Sequence, residues 1–360
     1  MTEHKKLIIF LSQYDFSASK ISKILDFLDD QSIAGFKKAK FSEKMITAEQ
    51  KDKMMESAHA QLVETYSNNL LDRGIKIVVR GEEDFPEKLF PLDDCPQILY
   101  YMGDLSLANK PSISVVGTRK PSSYGRMITE RFVTDLASSG IVIISGLAYG
   151  VDSIAHRKCL DVGGKTIAVL GGGFDHIYPA EHMALAKEIA EKGLLISEFR
   201  PKLTAGKYNF PLRNRIIAGL SDGVLITEAN MKSGTIHTRD FALEYGKNLY
   251  AVPGNIDSPL SKLTNEIIKT CQGSCVVSSE DILIDFEGVV EKGEQMQFKD
   301  IEGLDENEKI VINALKNGMI SIDELSKFAG IDAKILNSCL TTLEIRGLIN
   351  RLHGGFVSLC

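Results

Sequence analysis

Between residues 112 and 252 the chain alternates short apolar runs with longer stretches of helical period. Ser112–Val116 is a largely apolar run closed by Gly117, and Tyr124–Ser139 repeats apolar residues at helical spacing until Gly140. The alternation then recurs. A strand at Ile141–Ile144 ends in Ser145-Gly146, a helix at Val151–Val162 stops at Gly163-Gly164, and a strand at Thr166–Leu170 ends in Gly171-Gly172-Gly173. A helix at Ala180–Lys192 stops at Gly193 and leads into a strand at Leu194–Ser197. After a long loop come a helix around Arg213–Leu220, a strand at Gly223–Thr227, a helix at Thr235–Tyr245 and a strand at Leu249–Val252. Strands rich in Val, Ile and Leu that alternate with helices predict βαβ units and an α/β fold. Its centre is an extended Rossmann-like, mainly parallel sheet covered on both faces. The strand ends carry glycines and small polar residues, and open α/β sheets bind ligands at such ends.

The flanks follow other patterns. Leu7 to about Ser67 reads as short helices: Ile21, Ile24, Leu25 and Leu28 fall at helical spacing, as do Met54, Ala58 and Leu62 within Ala48–Tyr66. Leu70-Leu71-Asp72-Arg73-Gly74 ends a helix, and Ile75–Val79 is a strand. The stretch 287–303 is acidic and lacks apolar periodicity, as linkers do. Beyond it, Glu306–Lys316 predicts a helix, Ser321-Ile322-Asp323-Glu324 is a capping box that opens a second, and Ala333–Arg346 predicts a third. Leu348–Leu359, with Gly354-Gly355 at its centre, reads as a hairpin. The expected layout is a small helical N-terminal domain at 1–67, a Rossmann-like domain at 68–286, a linker at 287–303 and a winged-helix-like domain at 304–360. The third helix of the last domain carries only Lys334 and Arg346 against Glu344. That is little charge for reading DNA, so contact with a partner or a structural role is the expectation there.

Charge sharpens this picture. The net charge is −6, yet Lys110 to Asn255 holds 18 Lys and Arg against 13 Asp and Glu, or +5, which leaves −11 for the rest. A basic middle between acidic ends fits a polyanion-binding centre. No apolar run reaches the roughly 18 residues of a membrane span. Leu7–Leu11 is below signal-peptide length and lacks a small-residue cleavage site, so a cytoplasmic protein is expected. The six cysteines are Cys95, Cys159, Cys271, Cys275, Cys339 and Cys360. Their spacing makes no zinc site, and reduced, mostly packed thiols are expected, with no metal and no cofactor.

Four loops at strand ends carry candidate chemistry. In Gly117-Thr118-Arg119-Lys120-Pro121, glycine permits close backbone approach and Arg119 can grip a phosphate bidentately. A tight turn with solvated charges would look the same. Ser145-Gly146-Leu147-Ala148-Tyr149-Gly150-Val151-Asp152 can form a phosphate-binding nest, although close strand–helix packing explains its glycines equally well. His156, on the following helix, reads as a structural histidine. Lys207 to Arg215 puts three cations and two aromatics within nine residues. Lys207, Arg213 and Arg215 can neutralise phosphates while Phe210 stacks on a base, with Asn209 and Asn214 alongside, the combination that suits single strands. The bland alternative buries Phe210 and pairs the arginines with acids. In Glu228 to Thr235, Ser233 or Thr235 would cap the next helix beside Gly234 and offer its amides to an anion.

Other chemistries find little footing. The chain has no G-x-x-x-x-G-K-[ST] loop and no G-x-S-x-G elbow, and Gly171-Gly172-Gly173-Phe174-Asp175-His176 misses the dinucleotide spacing. Asp152, Asp175, Glu198 and Glu228 are acids at strand ends, any of which could act as a base, yet none has a visible nucleophile beside it.

Taken in order, these loops resemble the DNA processing protein A (DprA/Smf) family. The resemblance runs from about Leu71 to Leu283. It rests on Gly117-Thr118-Arg119, the Ser145–Asp152 loop with His156, Tyr178-Pro179, Ser197-Glu198, Phe210 to Leu220 and Ala251-Val252-Pro253-Gly254. It implies a homodimeric cytoplasmic protein of natural transformation, or competence, that binds incoming single-stranded DNA without sequence preference, protects it and loads the RecA recombinase onto it for recombination. It is no enzyme on this reading. The family's DNA-contacting positions would fall on Arg119, Lys207, Phe210 and Asn214, with glycine and serine amides nearby, and many members carry helical N-terminal and winged-helix C-terminal domains. There are departures. A family segment G-[ST]-N-x-L-I is matched here by Lys262-Leu263-Thr264-Asn265-Glu266-Ile267-Ile268, and His237 stands where a plainer residue is usual. The N-terminal region shows no G-x-G hairpin of the helix-hairpin-helix kind, so no DNA role is assigned to it. The alternative is a Rossmann-type nucleotide hydrolase of the phosphoribohydrolase class, suggested by Ser233-Gly234-Thr235 after Glu228, but the glycine run of that class is absent. A scaffold that only recruits RecA through the acidic flanks is the third reading.

Overall fold

The computed structural model describes all residues except 15, 58–59, 287–303, 316–319, 347, 353–355 and 360. The linker expected at 287–303 therefore lies outside the described residues. Contacts divide the chain into two compact units that part near residue 293.

The first unit begins with α1 (Glu3–Ser12), α2 (Ala18–Phe27), α3 (Ile33–Lys38), α4 (Ala48–Ser57) and α5 (Ala60–Asp72). Hydroxyls start the first three: Thr2, Ser17 and Ser32 each accept a backbone N–H of the first turn. A nine-stranded sheet follows. Its strands are β1 (Lys76–Val79), β2 (Ile98–Gly103), β3 (Ser112–Val116), β4 (Val142–Ser145), β5 (Thr166–Val169), β6 (Leu194–Ser197), β7 (Gly223–Ile226), β8 (Asn248–Ala251) and β9 (Ser274–Cys275). Its helices are α6 (Ser123–Ser138), α7 (Val151–Asp161), α8 (Met183–Lys192), α9 (Asn209–Leu220), α10 (Thr235–Glu244), α11 (Lys262–Lys269) and α12 (Glu280–Leu283).

The spatial order is β1-β2-β6-β5-β4-β3-β7-β8-β9. From β6 to β9 every neighbour is parallel, with β3 in register on β4 (Ser114 opposite Ile144) and on β7 (Ser114 opposite Val224). β2 runs antiparallel to β6, and β1 antiparallel to β2. The chain winds from β3 outward to β6 and returns to the other side of β3 as β7. That reversal is the switch point where open α/β sheets leave a crevice.

Strand alternation explains the two packed faces. Ile113, Val115 and Ile143 pack with Phe132, Val133 and Leu136 of α6 and Ala155 of α7. Val116, Ile144, Val169 and Ile196 pack with Ile216, Ile217 and Leu220 of α9. The N-terminal helices do not hold a core of their own. Leu7, Ile8, Ile9 and Leu11 of α1 lie in one cluster with Ile98, Tyr100 and Leu195 of the sheet and Leu185 and Ile189 of α8. The Tyr100 hydroxyl stands 2.8 Å from Ser12 Oγ.

Several details depart from the sequence pattern. β2, β9, α11 and α12 have no counterpart in the expectations, and α9 starts at Asn209, a turn earlier than Arg213. Pro211 does not stop α9, because a proline in the first helical turn lacks only an N–H that has no partner there.

The second unit comprises α13 (Glu306–Leu315), β10 (Ile320–Ser321), α14 (Ile322–Ala329), α15 (Ala333–Ile345), β11 (Ile349–Leu352) and β12 (Phe356–Leu359). Ser321 caps α14 by accepting from Glu324 N, as the capping box predicts, and its hydroxyl donates to Glu324 Oε2. β11 and β12 pair as the hairpin, and β10 adds a third strand against β12. Arg351 lies 3.2 Å from Glu344 and Arg346 lies 3.9 Å from Glu308, so the charges on this unit are largely balanced locally.

Ile9→Ala is expected to cost ~2–4 kcal/mol, as buried large-to-small changes do. Because α1 shares its core with the sheet, hydrogen-exchange protection should fall in β2 along with α1. Unchanged protection in β2 would mean that the helices fold separately.

Candidate nucleic-acid interface

The loops after β3, β4, β5 and β7 meet at the switch point, and α9 aims its first turn at them. Arg213 binds them together. It is 4% exposed, and its Nη1 donates to the Gly146 and Val169 carbonyls, each at 2.5 Å. Its Nε donates to Asn214 Oδ1 at 3.0 Å, and Asn214 Nδ2 donates to the Gly234 carbonyl at 3.3 Å. A Cβ at Gly146 would overlap the guanidinium, which explains the glycine. Burial pulls the Arg213 pKa down to about 10 against the opposing pull of Asp152, so it stays charged at neutral pH.

These contacts change the roles of several candidate residues. Arg213 faces inward and is committed to carbonyls. The Ser145 hydroxyl donates to the Val115 carbonyl at 2.7 Å, tying β4 to β3. The Gly146 amide, expected to face an anion, donates to Asp152 Oδ2 at 3.1 Å, and the Ala148 amide donates to the same oxygen at 3.4 Å. The nest after β4 thus encloses the protein's own carboxylate. Leu147 sits in this loop at φ 58° and is fully buried, and His182 Nδ1 is 2.8 Å from its carbonyl. Such a backbone persists only where its surroundings hold it.

The loop after β7 is held in the same way. Gly234, not Ser233 or Thr235, occupies the cap position of α10, with no side-chain cap. Ser233 Oγ accepts from Thr235 N at 3.2 Å, and Thr235 Oγ1 donates to the Gly117 carbonyl at 3.1 Å. The Thr118 amide donates to the Glu228 carbonyl at 2.7 Å, and Thr118 Oγ1 accepts from Lys120 N at 3.2 Å.

What remains outward is a cation–aromatic cluster. Phe210 is half-buried and lies on the backbone of Gly171, where a Cβ would stand 2.7 Å from its ring. The Arg119 guanidinium carbon is 5.6 Å from the ring centroid, and the exposed Tyr178 ring is 5.5 Å away, tilted by 51°. Arg119, Lys120 and Lys207 are exposed, and Asn209 is half-buried beside Lys207. Sequence reasoning took the glycines after β5 only as a failed dinucleotide motif. Their signal was the triple itself: Gly171 admits the Phe210 ring, while Gly172 and Gly173 let residues 200–205 cross closely.

All four strand-end acids are engaged. Asp152 holds the two amides, and burial raises its pKa while Arg213 and those amides oppose the rise. Asp175 pairs with Arg73. Glu198 binds Arg215 at 2.5 Å; burial raises its pKa and Arg215 works against it. Glu228 accepts from Ser122 N at 2.9 Å and from its hydroxyl at 2.6 Å, at the head of α6.

A family profile described as DNA recombination-mediator protein A matches residues 76–287, more than half of the chain. The chain belongs to this family. A second profile, the DprA winged helix domain, matches residues 299–355. DNA processing protein DprA of Bacillus subtilis is 38% identical over 62% of this chain and 74% of its own length. Protein Smf of Escherichia coli is 34% identical over 79% of this chain and 77% of its own. Among solved structures, DNA processing protein A of Streptococcus pneumoniae superposes with a TM-score of 0.62 at 30% identity, over 79% of this chain and 98% of that one. The Helicobacter pylori protein, whose structure is described for its single-stranded DNA binding mode, gives 0.55 at 31% identity over 60% and 97%.

The stretch that departs from the DprA pattern forms α11. Asn265 clamps the loop after β8, accepting from the Gly254 amide at 3.1 Å and donating to the Gly254 carbonyl at 3.0 Å. His237 lies exposed on α10. Among the described residues no helix is long and apolar enough to cross a membrane. Cys95, Cys159 and Cys339 are buried free thiols, and Cys271 and Cys275 are exposed ones.

His156 is fully buried. The Thr166 hydroxyl donates to the Ile143 carbonyl at 2.7 Å and so accepts from His156 Nδ1, 2.7 Å away. Nε2 has no partner among the described residues. Burial, then the charges of His182 and Arg213, lower the His156 pKa from 6.5 to about 3. The unfolded chain takes this proton near 6.5 and the folded chain refuses it until about 3. Stability is therefore full above pH 6.5 and falls as pH drops through that window, by at most ~1.4 kcal/mol per pH unit from this group. His156→Asn should flatten that part of the slope in denaturant titrations run between pH 6.5 and about 4. Equal slopes for the two proteins would contradict the assignment.

Proposed function

We propose that the strand-end face binds single-stranded DNA without sequence preference. The observation that carries this reading is the Phe210 ring, set on Gly171 between Arg119 and Tyr178. An aromatic face takes any base, and the exposed Arg119, Lys120 and Lys207 beside it neutralise phosphates. Asn209 and the Gly117–Thr118 backbone border this face. Ser145, Gly146, Arg213, Asn214, Ser233, Gly234 and Thr235 serve the strand by fixing the loops that carry it. The Helicobacter pylori relative's structure, described for single-stranded DNA binding, lends support.

Binding rather than hydrolysis fits the strand-end acids, each of which is engaged by a local donor. Incubation with nucleoside monophosphates should release no free base, whereas release would restore the phosphoribohydrolase reading. Family membership supports the remaining parts of the proposal: a cytoplasmic homodimer that protects incoming DNA during natural transformation and loads RecA onto it. RecA filament formation on strands coated with a single-strand-binding protein should be faster when this protein is present.

Arg119→Ala and Lys207→Ala should each weaken binding of a labelled oligonucleotide and lower the slope of log affinity against log salt by ~0.7 per lost phosphate contact. Phe210→Ala should cost ~1–3 kcal/mol with the salt slope unchanged. Wild-type binding by all three variants would overturn the site.

A further inference from the structure

Behind the first turn of α9 lies a cavity of about 500 Å3 that the Phe210 face does not use. Asn209 and Leu212 of α9 line it on one side and Phe16, Ser17 and Ser19 of the N-terminal region on the other, with Phe199 also in its wall. Arg215 contributes to this lining and is 3% exposed. Its Nε meets Asp94 at 3.0 Å and its Nη2 meets Glu198 at 2.5 Å, while its buried Nη1 has no partner among the described residues. A second hollow of about 380 Å3 adjoins the first through Ser17 and Ser19. Lys20, Lys23 and Lys44 line it, with no carboxylate among its described lining residues. None of these lysines is in an ion pair among the described residues. Lys20 Nζ lies 4.2 Å from the centroid of Phe16, a ring of the first hollow.

We propose that the N-terminal helices carry a second tract of the single-strand path, in which a base enters the cavity beside Arg215 and the adjoining phosphates lie along Lys20, Lys23 and Lys44. This rests on the strand-binding reading of the Phe210 face, since α9 presents Phe210 to that face and Asn209 and Leu212 to the cavity. The division of labour follows from charge. Asp94 and Glu198 offset Arg200 and Arg215 in the cavity lining, which suits an uncharged base better than a phosphate. Phe16 and Phe199 offer apolar walls for a planar ring. The lysines, with no acid beside them in the second hollow, suit the phosphates. A strand longer than the first site then gains contacts that a short one lacks.

The test compares oligothymidylates of about 6 and about 25 nucleotides, lengths that bracket common single-strand site sizes. Fluorescence anisotropy at several salt concentrations would be measured for the wild type, Lys20→Ala/Lys23→Ala/Lys44→Ala and Phe210→Ala, each checked for folding by circular dichroism. The triple variant should bind the long strand at least about tenfold more weakly, with a salt slope lower by ~2, and bind the short strand as the wild type does. Wild-type behaviour on both lengths, or equal losses on both, would overturn the second tract. Phe210→Ala should weaken both lengths. If it weakens neither, the reading of the first site fails instead, and the two failures are told apart.

Discussion

The buried guanidinium of Arg213 is the contact on which the strand-end face depends. It joins α9 to the ends of β4 and β5 through two carbonyls, and through Asn214 it reaches the loop before α10. A buried charge survives only when its donors are used and an opposite charge is near. Asp152 supplies that charge and is itself satisfied by the Gly146 and Ala148 amides. Gly146 thus serves both partners, its carbonyl to the arginine and its amide to the carboxylate. Removing either charge would leave the other buried with only neutral partners, which is destabilising. The loops are fixed before any ligand arrives, and the outward side chains inherit that rigidity.

A fixed frame suits a protein that must hold a flexible polymer. Polar groups that could have served chemistry are used as struts: Glu228 at the head of α6, Glu198 on Arg215, Asp152 under the β4 loop. The groups left outward are Arg119, Lys207 and the Phe210 ring; in the proposed reading they would meet phosphate and base by general forces that need no exact substrate geometry.

The parallel strands β3 to β8 were legible because buried strands and glycine-closed helices leave strong periodic signals, whereas the two-residue β9 is too short to leave one. β2 was not, because it runs antiparallel at the margin of the sheet and follows the irregular stretch 80–97, where no helical period leads into it. The importance of the Lys207–Arg215 cluster was legible from residue type, but not the direction in which each side chain points. Arg213 and Arg215 both turn inward, while Phe210 stays near the surface because Gly171 gives it a floor. The anion nest expected after β4 reads identically whether it encloses a ligand or Asp152. Only the helix placing Asp152 six residues beyond Gly146 in reach of its amide decides between them.

Photocross-linking tests the central claim most directly. A single-stranded oligonucleotide carrying a halogenated uracil would be irradiated in the complex and the adducted peptides mapped. The expected adducts fall on Phe210 or Tyr178, the rings beside Arg119. Adducts confined to α13–α15 and the hairpin of the second unit would contradict it.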